Sequence, residues 1–350
     1  MKFVFLLPDG FDPRGGVRRV MDYAELLGRR GHSCVVVSKD RELPPWLDAG
    51  KYSHFRIRHT SNPYYSVTCD VAWATGKRGG LRLRKMRRSR LKVYSVVMLE
   101  SLNRPSHRAG SDAMLDDPYG QNWLYVANSS WLRDAVQDKG QRCERVLASP
   151  RSDIFRPDAT PSPDKGRHPI VMCLQSRGQW KGSERSVAAI EHMKSKWAGR
   201  RSRIETRIFG PGKRPDFGRP LRKLGVIGVH ELPAQYAAAD VVLHSSAFEG
   251  WANIPFEAMC CGTPFVTFDT TGIHDFAVDG YNCRIVPPFD TEAMGEAALE
   301  ILLDRGFREK LQRGCIETYK RFCMMDTVTD IEKIVVDELA RLESQEEGGA

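Results

Sequence analysis

The chain has 350 residues, of which 41% are hydrophobic and 28% charged, and a formal net charge of +9. That is an ordinary globular composition with room for two cores of about 150 residues each, and no stretch reaches the ~18 consecutive apolar residues of a membrane span. Nine cysteines occur without any C-x-x-C spacing, which argues against a zinc or redox site, and Cys34, Cys69, Cys173 and Cys283 sit in apolar runs as buried thiols would.

The opening MKFVFLLPDGFDPRGG meets Asp and Gly too early for a secretory segment, so a cytoplasmic protein is the expectation. Residues 2–8 form an apolar run of strand length, followed by a glycine loop and a helical pattern with Val17, Val20, Met21, Ala24 and Leu27 on one face. Gly31 stops that helix, and SCVVVSKD reads as a second buried strand. Strand, glycine loop, helix, strand is the start of a doubly wound α/β domain. Further strands are predicted at 70–75, 92–99 and 124–129, with SSWLRDAVQDKG a short capped helix after the last.

The Pro-rich stretch 156–169 breaks all periodicity and reads as a linker. Beyond it the alternation resumes: strand IVMCLQS, helix SERSVAAIEHM, strand RIETRIFG, helix PAQYAAAD, strand VVLHSS, helix IPFEAMCCG and strand PFVTFD. A second parallel sheet with crossover helices follows from this order. Near the end, Val328, Ile331, Ile334, Val335 and Leu339 mark an amphipathic helix. The expected division is an N-terminal domain 1–160, a C-terminal domain 165–322, and a last helix 323–350 returning to the first domain.

Four stretches carry candidate chemistry. Gly15 and Gly16 precede a helix after strand one, where backbone N–H groups and the positive helix end favour an anion, although the spacing is not G-x-G-x-x-G and a plain tight turn is the competing reading. Arg177 and Lys181 lie on the loop leaving the first strand of the second half, where they could cradle a diphosphate or simply face solvent. The loop FGPGKR brings Gly210 to a similar place. Finally, Glu249 follows a strand, and Glu257 is expected in the first turn of the next helix, beside free N–H groups of Ala252, Asn253 and Ile254. One carboxylate there is usually a dipole feature worth about 0.3–1 kcal/mol. Two around a glycine-bearing strand exit suit a polyol, whose hydroxyls donate to carboxylates.

EGWANIPFEAMCCGTPFVTFDTTGIHDFAVDGYNCRIVPPFD resembles the signature region of the family 4 glycosyltransferases with the GT-B fold, whose E-x7-E motif is matched by Glu249 and Glu257. The similarity extends to GGVRRVMDYAELLGRRGH, VANSSWLRDAVQDKG and the Arg177 and Lys181 loop, and so over nearly the whole chain. It implies an α/β GT-B architecture, two doubly wound Rossmann-like domains facing across a cleft, and a retaining, metal-independent transfer from a nucleotide-diphosphate sugar. By the same resemblance Glu257 binds the ribose and Glu249 sits under the donor sugar. Arg177 and Lys181 stabilise the diphosphate, with the backbone around Gly16 and Ala252 to Ile254. No D-x-D occurs, in keeping with protein cations in place of a metal.

DVAWATGK and KVYSVVMLES are most similar to rhamnosyltransferase-like members, and by that likeness Glu100 is an N-domain active-site residue; His107 is the alternative. His244 stands where relatives often have proline, and Asp275 where they commonly have glutamate.

The acid-free run 77–92 admits a solvated helix face, a nucleic-acid patch, or a surface meeting anionic phospholipid or a lipid diphosphate. Aromatics do not interleave with its charges, which disfavours nucleic acid. Its place in the acceptor domain favours peripheral contact with the inner membrane face. The expected partners are therefore a nucleotide sugar and a glycan or lipid-linked glycan acceptor. A sugar-nucleotide epimerase of the same fold and a non-catalytic basic module are the other readings.

Overall fold

The computed structural model describes residues 1–11, 15–44, 52–61, 64–99, 118–147, 153–197, 203–211, 221–322 and 324–348. It divides into two compact units, one formed by residues 1–148 with 324–350, the other by 149–323.

The first unit holds a seven-stranded sheet, β1 (Lys2–Leu6), β2 (Ser33–Ser38), β3 (Arg56–His59), β4 (Cys69–Thr75), β5 (Ser89–Val96), β6 (Leu124–Ala127) and β7 (Cys143–Arg145), in the order β3-β2-β1-β4-β5-β6-β7. Every pairing is parallel. A parallel strand is covered on both faces, and so its residues are apolar in both alternating sets. Phe3 and Phe5 of β1 and Val71 and Trp73 of β4 enter one core cluster, while Val4 and Leu6, Ala72 and Ala74 enter the other.

The first cluster is closed by helix α1 (Gly15–Arg29), whose predicted stripe is buried throughout, and by Val328, Ile331, Val335 and Leu339 of the last helix. Helix α2 (Gly76–Lys85) and helix α3 (Ser130–Gln137) lie against this unit's strands, and α3 adds Leu132 and Val136 to the second cluster.

The basic run is split by this architecture. Its first half is α2, where Gly79 is packed so closely that a Cβ would fall 2.9 Å from Leu6 O. Gly79, Gly80 and Leu83 face the sheet, and the cations take the remaining positions. Arg78 Nη1 donates to Asp9 at 2.7 Å, Arg82 to Leu7 O, and Arg90, already on β5, pairs with Asp70 at 3.4 Å and with Glu343. Lys85, Arg87 and Arg88 stay exposed.

In the second unit β8 (Ile170–Leu174), β9 (Glu205–Phe209), β10 (Arg222–Gly225), β11 (Val241–His244), β12 (Phe265–Phe268) and β13 (Cys283–Val286) form a parallel sheet in the order β10-β9-β8-β11-β12-β13. Helices α4 (Ser183–Trp197), α5 (Leu232–Ala238), α6 (Asn253–Cys260), α7 (Thr291–Leu303) and α8 (Arg305–Lys320) complete it. Asp290 and Asp304 cap the last two, accepting from Ala293 N at 2.8 Å and Phe307 N at 2.9 Å. Helix α9 (Met324–Gly348) then rejoins the first unit.

The Pro-rich stretch is no linker, and the boundary falls at 148/149 instead of 160. Phe155 is fully buried against Tyr236, and Ser162 N donates to Ala234 O at 2.9 Å. Its anchor is Arg207 of β9, a guanidinium with no exposed surface. Arg207 pairs with Glu205 at 2.7 Å and Asp164 at 3.0 Å, and it donates to Gln235 at 2.9 Å and to Asp164 O at 3.1 Å. A buried cation persists only with its donors satisfied, and the strap satisfies them. Low sequence periodicity reflected the absence of a helix or strand here, not the absence of packing.

Arg207→Ala is expected to lower the unfolding free energy of the second unit by about 3 kcal/mol in urea titrations, because it empties a fully buried space and leaves Glu205 and Asp164 to Arg222. Arg207→Met, which fills the space without a charge, should also be less stable than wild type, and stability equal to wild type would mean that the network contributes nothing.

Candidate active site

The strand order of the second sheet reverses between β8 and β11, and the loops leaving two such strands diverge to opposite faces, opening a crevice at their carboxyl ends. Those two loops are 175–182 and 245–252. Gly182 sits at φ +65°, and a Cβ there would fall 2.2 Å from Ser245 O, so only glycine lets α4 begin so close to the end of β11. Ala247 N donates to Trp180 O at 2.7 Å, Arg185 Nε to Ser245 O at 3.1 Å, and the Ser186 and Ser245 hydroxyls meet at 2.6 Å. The loop after β12 joins them: Ala252 N donates to Gly272 O at 3.1 Å, and Thr271 Oγ1 to Glu249 O at 3.3 Å.

This stapling brings Lys181 and Glu249 together, 68 positions apart in sequence, with Nζ donating to Oε1 at 2.6 Å. Glu249 is 5% exposed, whereas the Lys181 side chain keeps 26% of its surface. His244 closes the other side, its Nε2 3.4 Å from the same carboxylate oxygen and its Nδ1 2.9 Å from Thr267 Oγ1. Burial pushes the Glu249 carboxyl up, but the Lys181 charge and the His244 contact outweigh it, and the pKa falls from 4.5 to about 2.

Arg177 is exposed on the same loop, its Nε donating to Pro211 O at 3.3 Å. Gly210 stands beside it at φ +115°, where a Cβ would meet Gln175 O at 2.3 Å, so the loops after β8 and β9 also touch through backbone alone. The remainder of FGPGKR, from Gly212, lies outside the described residues.

Two expectations need correction. Glu257 is in the second turn of α6, because the helix starts at Asn253, and its first turn holds no acid. Ala252 N is engaged by Gly272 O, which leaves Asn253 and Ile254 as the first helical positions, whose N–H groups have no acceptor inside the helix. Glu257 is buried and accepts from Tyr236 Oη at 3.2 Å.

In the first unit Gly15 and Gly16 open α1, as read from the glycine loop. A Cβ on Gly16 would lie 3.3 Å from Val97 and 3.8 Å from Thr75 Oγ1. Glu100 and His107 lie outside the described residues. No grouping of three His, Cys, Asp or Glu side chains able to hold a metal occurs among the described residues.

Sequence reasoning missed three neighbours of the predicted pair. Tyr236 is one. A second is the stack of Trp180 on Phe248, 6.3 Å between rings and 12° between planes, which immediately precedes both Lys181 and Glu249. The third is His244, visible beforehand only as a departure from proline.

The two parallel α/β units have the GT-B fold, and the second brings a buried acid and a cation to the switch point of its sheet. Residues 168–304 match the model of the family described as glycosyl transferases group 1. Over 331 residues the chain is 27% identical to a D-inositol 3-phosphate glycosyltransferase of Acidothermus cellulolyticus, covering 85% of this chain and 73% of the relative. Its fold is that of sucrose-phosphate synthase from Thermosynechococcus elongatus (TM-score 0.79, 16% identity, 97% of this chain and 100% of the other). It is likewise that of Anabaena HepE, solved with UDP and glucose (TM-score 0.76, 16% identity, 96% and 99%). The chain is a glycosyltransferase.

The depressed Glu249 pKa sets a pH dependence. A carboxyl whose folded pKa lies below its unfolded value stabilises the protein above the unfolded value, and that contribution fades as pH falls from 4.5 towards 2. The unfolding free-energy difference between wild type and Glu249→Gln should thus be constant above pH ~5 and shrink by about 3 kcal/mol below it. Urea unfolding across pH measures this, and a difference that stays level to pH ~3 contradicts the ion pair.

Proposed function

We propose that the protein transfers a sugar from a nucleoside-diphosphate sugar to a hydroxyl of a glycan or lipid-linked glycan, with retention and without a metal. The observation that carries this reading is the Lys181–Glu249 pair at the switch point, with exposed Arg177 on the same loop. HepE, of the same fold, was solved with UDP and glucose, which supports a nucleoside-diphosphate sugar as the donor.

In the transfer, the bond between the anomeric carbon and the phosphate oxygen breaks and negative charge develops on the diphosphate. Arg177 and Lys181 meet that charge, with the positive N-terminal end of α6 beside them. The acceptor oxygen bonds to the same face of the anomeric carbon, and its proton passes to the departing phosphate oxygen. Such a route needs no separate base. Glu257 already accepts a hydroxyl from Tyr236, and the same acceptor chemistry suits ribose hydroxyls. Glu249 takes the sugar hydroxyls.

Lys181→Ala and Arg177→Ala should each lower kcat by about 10²–10³ in a purified transfer assay, the loss expected when one preorganised donor to developing charge is removed. Glu257→Gln should weaken nucleoside diphosphate binding, read from the thermal shift that wild type gains at saturating ligand. Unchanged transfer in both Lys181→Ala and Glu257→Gln would sink the assignment, and free epimerised nucleotide sugar made without acceptor would replace it with an epimerase.

The exposed Lys85, Arg87 and Arg88 suit peripheral contact with anionic lipid, each worth about 1 kcal/mol near such a surface. Among the described residues no helix is long and apolar enough to cross a membrane. Charge reversal at the three positions should abolish co-sedimentation with phosphatidylglycerol vesicles while soluble-acceptor transfer persists; retained co-sedimentation rules this surface out.

A further inference from the structure

The first sheet has a switch point of its own. Its strand order reverses between β1 and β4, and the helices that follow these strands lie on opposite faces. Helix α1 covers the core cluster that holds Phe3 and Phe5, and α2, through Leu83, joins the one that holds Val4 and Leu6. Two helix N-termini thus flank one crevice at the carboxyl edge. Their first N–H groups have no acceptor inside the helix, and neither first turn contains an acid. Gly16 keeps α1 close to the sheet, since a Cβ there would lie 3.3 Å from Val97, and Gly76, at φ +66°, turns the chain from β4 straight into α2.

Two side chains here lack a partner. Thr75 ends β4 and stands at the N-cap of α2, yet its hydroxyl makes no capping bond. The residue is 2% exposed, and its Oγ1 has no hydrogen-bond partner among the described residues. It is aimed at the first turn of α1, 3.8 Å from a Cβ placed on Gly16. A buried hydroxyl in that state is unfavourable, and a ligand oxygen would relieve it. Lys77 follows in the first turn of α2, half-buried and with no ion pair or hydrogen bond among the described residues. The helix dipole opposes a cation at that end. Its basic neighbours are engaged: Arg78 and Lys39 hold Asp9 at 2.7 Å and 2.9 Å, and Arg82 donates to Leu7 O. Asp9 is therefore neutralised, and Lys77 is not.

From the two helix ends, the Thr75 hydroxyl and the Lys77 ammonium, we infer that the first unit binds a phosphate group at this switch point, and that the phosphate is carried by the sugar acceptor. Its oxygens accept from backbone N–H groups of both helices, from Thr75 Oγ1 and from Lys77 Nζ, and its charge makes the place of that cation favourable. All of these groups donate hydrogen, which selects an anion over a neutral sugar hydroxyl. Donors arriving from both faces of the sheet suit the tetrahedral oxygens of phosphate better than a planar carboxylate. The assignment to the acceptor rests on the function proposed above, in which Arg177 and Lys181 of the second unit already serve the donor diphosphate. It narrows the acceptor to a phosphorylated sugar or a glycan on a phosphate-bearing carrier.

Thermal shifts of the full chain with inorganic phosphate and with UDP test this. Phosphate should raise the Tm of wild type, of Thr75→Ser and of Lys181→Ala, while Thr75→Val and Lys77→Gln should each weaken its binding by about tenfold. Thr75→Val should leave the ligand-free Tm equal to or above that of wild type, because it removes a buried hydroxyl that has no partner. A lowered ligand-free Tm with phosphate binding intact would instead make Thr75 a structural residue and overturn the site. No phosphate shift in wild type, or one that either Thr75→Val or Lys77→Gln retains in full, also overturns it. If the two substitutions weaken UDP as much as phosphate, the site takes the donor's phosphates and the acceptor assignment falls. A phosphate shift that depends on Thr75 and Lys77 in a protein indifferent to UDP upholds the site and sinks the function reading.

Discussion

A carboxylate with almost no exposed surface remains ionised only if charge and hydrogen bonds replace the water it has lost. Glu249 meets that condition through Lys181 on one side and His244 on the other, and both contacts depend on how three loops are fastened at the carboxyl edge of one sheet. The fastening is made mostly by backbone: Trp180 O, Ser245 O and Gly272 O accept the bonds that join loop to loop. Gly182 and Gly272 are the positions where a side chain would force these loops apart, since a Cβ would fall 2.2 Å and 2.6 Å from the carbonyl it faces. The ion pair is thus a consequence of close backbone packing, and it places one anion and one partly exposed cation at the switch point of the sheet.

That arrangement separates two tasks. The buried end of the pair is held by neighbours that do not reach solvent, whereas the Lys181 end keeps enough exposure to change partners. Arg177 resembles the exposed end, with a carbonyl contact to Pro211 as its hydrogen bond among the described residues. Rigid acceptors and movable cations on the same rim suit a reaction in which charge appears on one part of the substrate while another part must stay still.

The strap 153–169 shows the same dependence on tertiary context from the opposite direction. Its prolines break helix and strand patterns, and composition alone makes it a linker. Arg207, one residue in a strand far along the chain, converts it to part of a domain by drawing Asp164 and its carbonyl into a buried network. Likewise the basic run 77–92 reads as one feature in sequence but is a helix followed by a strand, because Gly79 and Gly80 let the first half lie on the sheet and β5 takes the second.

The sequence by itself determined the inner strands, whose residues are largely apolar in both alternating sets, and the helices with a continuous stripe, such as α1 and α9; it passed over the edge strands β3, β7 and β10, which lack that pattern. It also pointed to Glu249, Glu257, Arg177 and Lys181 as candidates, since a strand exit followed by glycine and then a helix is a local pattern. It misplaced Glu257 by one turn because helix starts depend on which N–H groups find acceptors, and Ala252 N finds Gly272 O across the unit. Only the tertiary structure decided that Lys181 meets Glu249, that Tyr236 meets Glu257, and that His244 stands behind the carboxylate. These contacts join residues brought together by strand order, and strand order is set by the packing of whole faces, which no local pattern of residues encodes.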